Sequence, residues 1–329
     1  MPHFPSLPNS FAAHLPASLI VHAGESWYQD VAAGRFDFFE KLGVRARSEG
    51  MATQLIASGS PESAQLLHDR AHVHILIGPR APIGPGILHA HPGYLRGFWY
   101  LDPVGVNMAS SLIRRGFNPD QIDAKAARFF FNGVAGWNLR QNVSKFPQAA
   151  RTALPAAFAT VFLQDIEHFA SPVHYIDSAK MLKLVARAAD GTRVYVKLHP
   201  MQRAETTAMV QAFARKTANL VISEASVHDL AQASEMVVTQ NSAAGFEALM
   251  QKKPVITCAV CDYHHATVVA KRPSLLVQVL HTARPSQAEF DYEKYLYWFL
   301  SQNLLEPAKP EFADLAWARI ASARAETLA

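Results

Sequence analysis

At 329 residues the chain is long for one ordinary domain and comfortable for two. Half of it is hydrophobic (50%) and 18% is charged, enough apolar material for a sizeable core, which excludes a mostly disordered chain. The 31 Lys and Arg residues against 27 Asp and Glu leave a net charge of +4 with no Lys/Arg-rich run, whereas a dedicated nucleic-acid binder would concentrate its charge.

The 2 cysteines sit in one Cys-x-x-Cys and cannot make a disulfide framework, so a reducing compartment is the simplest fit. No apolar run approaches the ~18–20 residues that cross a bilayer. The apolar stretch from Phe11 to Ala23 has no Lys or Arg ahead of it and lacks the basic start of a signal peptide. The expected location is the cytoplasm, including the inner face of the cell membrane for a protein resting peripherally on lipid.

Short β-rich runs alternate with helical stretches along the whole chain. Ser18–His22 reads as a strand, Trp27 to Leu42 as a helix stopped by Gly43, Thr53–Ala57 as a strand and Pro61–Arg70 as a short helix. Val73–Ile77 and Gly86–Ala90 are further strands, the second running into His91-Pro92-Gly93. Gln121 to Val143 has helical spacing and carries Phe129-Phe130-Phe131. Pro147 to Pro155 is an Ala/Pro/Arg segment and a candidate linker.

A second series follows. The strands are Ala159–Gln164, Arg193–Leu198, Leu220–Ile222, Met236–Thr239 and Val255–Cys258. The helices are Asp177–Ala189, Thr206–Lys216, Val227–Ala233 and Ala243–Gln251, and an aromatic helical tail begins at Asp291. This alternation predicts an α/β protein of two lobes with parallel sheets. The expected boundaries are an acceptor-side lobe over 1–150, a nucleotide-binding lobe over 151–290 and a helical tail over 291–329 that packs back across the lobes. Two such lobes imply a cleft, with ligands beyond the carboxyl ends of the strands.

Four segments carry candidate chemistry. In Thr239 to Leu249 a strand end meets a helix that Asn241 or Ser242 can cap, and Ala243, Ala244 and Gly245 leave the helix start unobstructed for a phosphate. Glu247, in its first turns, can accept hydrogen bonds from vicinal ribose hydroxyls; the plain alternative is a capped helix with a solvated Glu. In Lys197-Leu-His-Pro200 the period of two puts Lys197 and His199 on one side of a strand end, where they could hold a phosphate. In Phe162 to His168, the side chains of Gln164, Asp165, Glu167 and His168 gather at another strand end, suited to acid/base or nucleophilic work. In His91 to Trp99, Arg96 could pair with an anionic group, and Tyr94 or Trp99 could stack on a sugar. Cys258 and Cys261, with His264 and His265 nearby, superficially suggest zinc, but a strand-end Cys behaves as a small hydrophobe and adjacent histidines chelate one ion awkwardly. They are expected to be structural.

Taken in order, these motifs resemble those of the bacterial capsular polysaccharide synthesis proteins, a family that includes the retaining β-Kdo transferases. The resemblance rests on Gly93-Tyr94-Leu95-Arg96, the strand end Phe162-Leu163-Gln164, Lys197-Leu198-His199-Pro200, and Thr239 to Leu249 followed by Lys253-Pro254-Val255. It implies a GT-B-like fold of two Rossmann-like lobes. It also implies a cytidine monophosphate sugar donor such as CMP-Kdo and a glycan or glycolipid acceptor. No cofactor, metal or nucleic acid is expected, while other polysaccharide-assembly proteins are expected as neighbours. The implied donor contacts are Lys197, His199, Thr239, Ser242, Gly245 and Glu247; the implied acceptor or cleft residues are Tyr94, Arg96, Trp99 and Gln164. Three places depart from the family pattern: its acidic pair is His91-Pro92 here, its nucleophile-like Asp is His168, and its aromatic Pro-rich loop after the Lys-Pro-Val strand is Cys261-Asp262-Tyr263-His264-His265. Glu167 is then the first expectation for nucleophile or base, Asp165 the second, and His168 the general base of an inverting variant. A GT-B-fold epimerase of nucleotide sugars and a non-catalytic nucleotide-sugar-binding assembly protein are the alternatives.

Overall fold

The structure is a computed structural model that describes residues 17–78 and 82–328. Residues 11–16 of the N-terminal apolar stretch lie outside the described residues. The chain forms two compact units, one made of the described residues up to Gly93 with Gly97–Leu112 and those from Leu300 on, the other of Tyr94–Arg96 and Ile113–Phe299.

The first unit begins with β1 (Ser18–Ala23), α1 (Glu25–Ala32), α2 (Asp37–Ser48), β2 (Ala52–Ala57), α3 (Pro61–Leu66), β3 (Val73–Ile77), β4 (Ile87–Pro92) and β5 (Trp99–Asp102). The strands form one sheet in the order β2-β1-β3-β4-β5. The first three pairings are parallel and β5 runs antiparallel to β4. The single helix expected over Trp27 to Leu42 is two, because Gly34 turns the chain in the left-handed region (φ 67°) between α1 and α2. Strand β5, which starts at the last residue of the His91 to Trp99 segment, is not among the strands expected from the sequence; all four of its side chains are buried.

The second unit contains α4 (Ala124–Arg140), β6 (Ala157–Phe162), α5 (Ser178–Ala188), β7 (Val194–Lys197), α6 (Ala204–Arg215), β8 (Leu220–Ile222), α7 (Val227–Ala233), β9 (Ser234–Thr239), α8 (Ala243–Ala248), β10 (Val255–Thr257), β11 (Val268–Val269), α9 (Pro273–Ser286) and α10 (Tyr292–Leu296). Its six strands are all parallel, in the order β11-β10-β9-β6-β7-β8. A sheet covered on both faces demands continuous apolar strands, and Val161, Val194, Val196, Val237, Val238, Val255 and Ile256 are all buried. Helices α5 and α9 pack together on one face, around Met181, Leu182, Val185, Leu276 and Leu280.

From Tyr297 to Gln302 the chain forms a π-helical segment, and it re-enters the first unit at Leu300. There α11 (Phe312–Leu328) packs against α2, β3 and β4. Phe312, Ala316, Ile320 and Ala323 complete the first unit's core with Phe38, Leu42, Val73, Ile75 and Leu88. The α/β class and the two Rossmann-like units expected from the sequence are thus present. Among the described residues no helix is long and apolar enough to cross a membrane.

Candidate functional site

In the second unit's sheet the chain lays down β6, grows to one side through β7 and β8, then crosses to the other with β9, β10 and β11. The direction of growth reverses between β6 and β9, whose ends lie side by side with Phe162 opposite Thr239. Loops leaving two such ends diverge, and the crevice they leave is where open α/β sheets take ligands. Two motifs singled out in the sequence meet here. The Asn241 amide donates to the Gln164 side-chain oxygen (3.0 Å), and the Thr239 hydroxyl donates to the Phe162 carbonyl (2.8 Å) while accepting from the Ser242 amide (3.3 Å).

Ser242 caps α8, its hydroxyl accepting from the Ala244 amide at 3.3 Å. Gly245 is required by packing: a Cβ there would lie 2.8 Å from Thr239 Cγ2 and 2.9 Å from the Tyr263 hydroxyl. Two residues on, Glu247 is buried at 1% exposure. Its Oε1 accepts from the Ser144 hydroxyl (2.8 Å), while Oε2 is buried with no hydrogen-bond partner among the described residues. Burial pushes its carboxyl up to about 8, against the opposing pull of the Ser144 hydroxyl, the Lys145 amide and the Lys145 and Arg96 charges. An ordinary solvated helix Glu would show none of this.

His199, half-buried, accepts the Met201 amide on Nδ1 (3.1 Å). A ring nitrogen that accepts carries no proton, so in the neutral ring the proton sits on Nε2, which is then a donor. The Phe146 ring stands edge-on to this imidazole at 5.4 Å and limits how it can turn. Burial, and then the nearby Lys145 charge, lower the His199 pKa, with Asp165 acting the other way. The ring is therefore neutral at pH 7 and acts as a hydrogen-bond donor. Lys197 is engaged on the strand beside it, its Nζ donating to the Glu224 carbonyl at 3.1 Å. Burial lowers its ammonium pKa, and Glu224 offsets part of that.

Sequence reasoning missed Ser144, Lys145 and Phe146. They lie in the stretch leading to the expected linker, and Ser144 meets Glu247 across a separation of 103 residues. The one signal was a Lys-aromatic pair directly ahead of Pro147. Lys145 keeps solvent contact, yet the protein around it lowers its ammonium pKa by desolvation, with Glu247 opposing.

The Asp165 to His168 segment splits into two roles. Glu167 Oε1 accepts three hydrogen bonds, from the Ser178 amide (2.6 Å), the Ser178 hydroxyl (2.5 Å) and Gln240 Nε2 (2.9 Å). These bonds tie the start of α5 to the β9 strand end and hold the carboxylate in place. Asp165 accepts from Arg203 Nε (3.0 Å) and lies 3.6 Å from His168 Nδ1. The His168 side chain is 41% exposed.

The aromatic candidates lie in cores. Tyr94 donates to Asp262 (2.7 Å) and stacks on Phe246 with centroids 5.0 Å apart, inside the second unit. Trp99 stacks on Phe38 at 4.6 Å within the first unit, and its burial leaves no open ring face for a sugar. Arg96 is exposed. Cys258 and Cys261 are free and buried; burial pushes the Cys258 thiol up to about 12 and raises that of Cys261 further. Among the described residues no group of three or more His, Cys, Asp or Glu is arranged to hold a metal ion.

Two Rossmann-like α/β units with this strand order have the architecture of GT-B glycosyltransferases and the epimerases that share it. Residues 167–293 match the capsule polysaccharide biosynthesis protein family, and the resemblance carried by the motifs is borne out over that segment. Two solved structures share the fold over most of their length. The β-Kdo 2,7-transferase of Thermosulfurimonas dismutans KpsC is similar with a TM-score of 0.55 at 15% identity, covering 93% of this chain and 99% of that one. The β-Kdo 2,4-transferase of the same KpsC gives 0.50 at 17% identity, covering 82% and 91%. No curated protein sequence matches the chain.

Proposed function

We propose that the protein is a glycosyltransferase of capsule or surface-polysaccharide assembly. It takes a CMP-activated sugar such as CMP-Kdo and passes the sugar to a glycan or glycolipid acceptor. The second unit is the donor-binding part and the first the acceptor-side part. The reading places the enzyme in the cytoplasm, peripheral to the inner face of the membrane. The observation that carries it is Glu247: a buried carboxyl group with one oxygen held by Ser144 and the other without a partner among the described residues, at the switch point of a parallel sheet. Ribose hydroxyls, which both donate and accept, would supply the missing partners. Beside it, His199 Nε2–H and the Lys145 ammonium would stabilise the negative charge that develops on the departing phosphate, without a metal in the scheme.

For the reaction centre the geometry favours Asp165 and His168 over Glu167, whose Oε1 already accepts three bonds. His168, oriented by Asp165, would act as general base on the acceptor hydroxyl, the inverting course. One observation favours a second reading, a non-catalytic nucleotide-sugar-binding protein: both carboxylates of the segment are already paired, Asp165 with Arg203 and Glu167 with Ser178.

A thermal-shift panel with CMP, UDP, GDP and ADP tests the donor. CMP should raise the melting temperature most, since a ligand bound only by the native state stabilises it by mass action. Equal shifts from all four, or none, would overturn the assignment. Product analysis then separates the classes: a glycoside for the transferase, a free epimerised sugar for an epimerase, binding without turnover for the assembly protein.

A further inference from the structure

Helix α4 has two faces. Ala127, Phe131, Ala135 and Asn138 point inward and are buried. Phe129, Gly133 and Trp137, spaced i, i+4 and i+8, run along the outer face. Phe129 is 83% exposed and Trp137 50%, an unusual amount of aromatic surface to leave in water. Among the described residues a Cβ at Gly133 would meet nothing within 4 Å, which leaves room between the two rings. Lys125, one turn before Phe129, and Arg140, three residues after Trp137, are exposed on the same face. Residues 124–140 contain no Asp or Glu. Asp123, which caps the helix, is engaged by the Ala126 amide (2.6 Å), and Glu293 of α10 is engaged on the flank by Arg128 (3.3 Å) and Lys252 (2.7 Å).

We infer that this outer face of α4 docks on an anionic lipid surface. The two rings lie ~12 Å apart along the axis, so a helix lying flat seats both at headgroup depth. Indole and phenyl rings flanked by cations are the composition that the membrane interface selects. Lys125 and Arg140 then meet the negative headgroups, each contributing about fivefold in binding. A second copy of the chain fits less well. A two-fold contact through this face would set Lys125 and Arg140 against the same residues of the other copy, like charge against like. The inference rests on the peripheral setting proposed above but not on the donor chemistry.

The test is co-sedimentation of the full chain with vesicles of equal parts phosphatidylglycerol and phosphatidylcholine, against phosphatidylcholine alone. The wild type should partition onto the mixed vesicles, less so at high salt, and weakly onto the neutral ones. Phe129→Ser with Trp137→Ser should lower the partition coefficient at least ~10-fold. Lys125→Gln with Arg140→Gln should remove the anionic preference, about fivefold per charge. Since all four side chains are exposed, the melting temperature and the shift with CMP should stay as in the wild type. Conversely, Glu247→Ala should lose the CMP shift and still bind vesicles, so failure of the donor reading and failure of this one are separable. No partition of the wild type onto mixed vesicles, or partition unchanged in both double variants, overturns the proposal. So does a dimer by light scattering that the serine variant dissolves, which would assign the face to a second copy.

Discussion

Two buried polar clusters, one in each unit, are bonded in opposite ways. In the first, His22 sits between Ser63 (2.8 Å from Nδ1) and His74 (3.0 Å from Nε2), and His74 Nε2 reaches the Asp69 carbonyl at 3.2 Å. A carbonyl only accepts, so His74 Nε2 carries a proton, His74 Nδ1 accepts from His22 Nε2–H, and His22 Nδ1 accepts from the Ser63 hydroxyl. The chain of bonds is closed and every member satisfied. In the second unit, Glu247 is buried as deeply but with one oxygen unmatched. A closed network stabilises and specifies a fold; an open one stores a bonding capacity that a ligand can complete. The difference separates a structural cluster of histidines from a candidate binding carboxylate, although both are buried and titratable.

The comparison can be broken or sharpened by experiment. The largest effect should come from Phe312→Ala, which empties a fully buried site in the first unit and should cost about 3–5 kcal/mol. Hydrogen exchange should report loss of protection in β1, β3 and β4 while β6 and β9 keep theirs; equal loss in both would mean one cooperative unit. Next is the reaction centre: with a working donor and acceptor, His168→Ala should slow turnover at least ~100-fold with donor binding nearly unchanged. Asp165→Asn should follow it in direction. If Glu167→Gln proves the dead variant instead, and folds normally, the roles assigned within the segment are reversed.

Of similar size, Glu247→Ala and His199→Ala should each remove most of the stabilisation by CMP, worth about 2.7 kcal/mol when the ligand is at a hundred times its dissociation constant. A retained shift in Glu247→Ala would show that the open oxygen serves no ligand. Ser63→Ala should open the closed network and cost about 1–3 kcal/mol, read by chemical denaturation.

The smallest effects are the pH slopes, and they have opposite signs. Burial, reinforced by His74, holds His22 at about 4, so the unfolded chain binds more protons once the pH falls below the ordinary histidine value. The first unit's contribution from this group is full above ~6.5 and is lost as the pH drops through 4. Glu247 is held at about 8, so its contribution is full below the ordinary carboxyl value and is lost as the pH rises through 8. Hydrogen exchange across pH should show β1 loosening in acid and α8 loosening in alkali, and Glu247→Gln should abolish the second.

Most strands were legible because a parallel sheet covered on both faces must be apolar along each strand, as in the fully buried Val255–Thr257; the bounds of Val73–Ile77 and of the edge strand Leu220–Ile222 are reproduced by the structure. What escaped was set by other forces. Strand β5 is an antiparallel edge whose Trp99-Tyr100-Leu101-Asp102 reads as readily as loop, and α9 opens on Pro273 and carries Pro285 within it. In the site, Thr239 to Glu247 could be read because cap, glycine and carboxylate are contiguous. The partnership of Ser144 with Glu247, the bonds holding Glu167 and the burial of Trp99 against Phe38 are tertiary contacts between distant positions, which no local pattern encodes.

The return of the chain to the first unit at Leu300 has a consequence for synthesis on the ribosome. Nearly all of the second unit, Ile113–Phe299, is translated between the first unit's strands and the helix that seals them. At ~5–20 residues per second, the nascent five-stranded sheet waits on the order of ten seconds or more for Phe312, Ala316 and Ile320 to emerge. During that interval the surface those residues will cover is open to chaperones. The second unit holds all six of its strands within one continuous stretch and can complete its fold first. The C-terminal unit is then expected to mature ahead of the N-terminal one, the reverse of the usual vectorial order. A ribosome stalled just short of Phe312 would display that half-finished state to a protease.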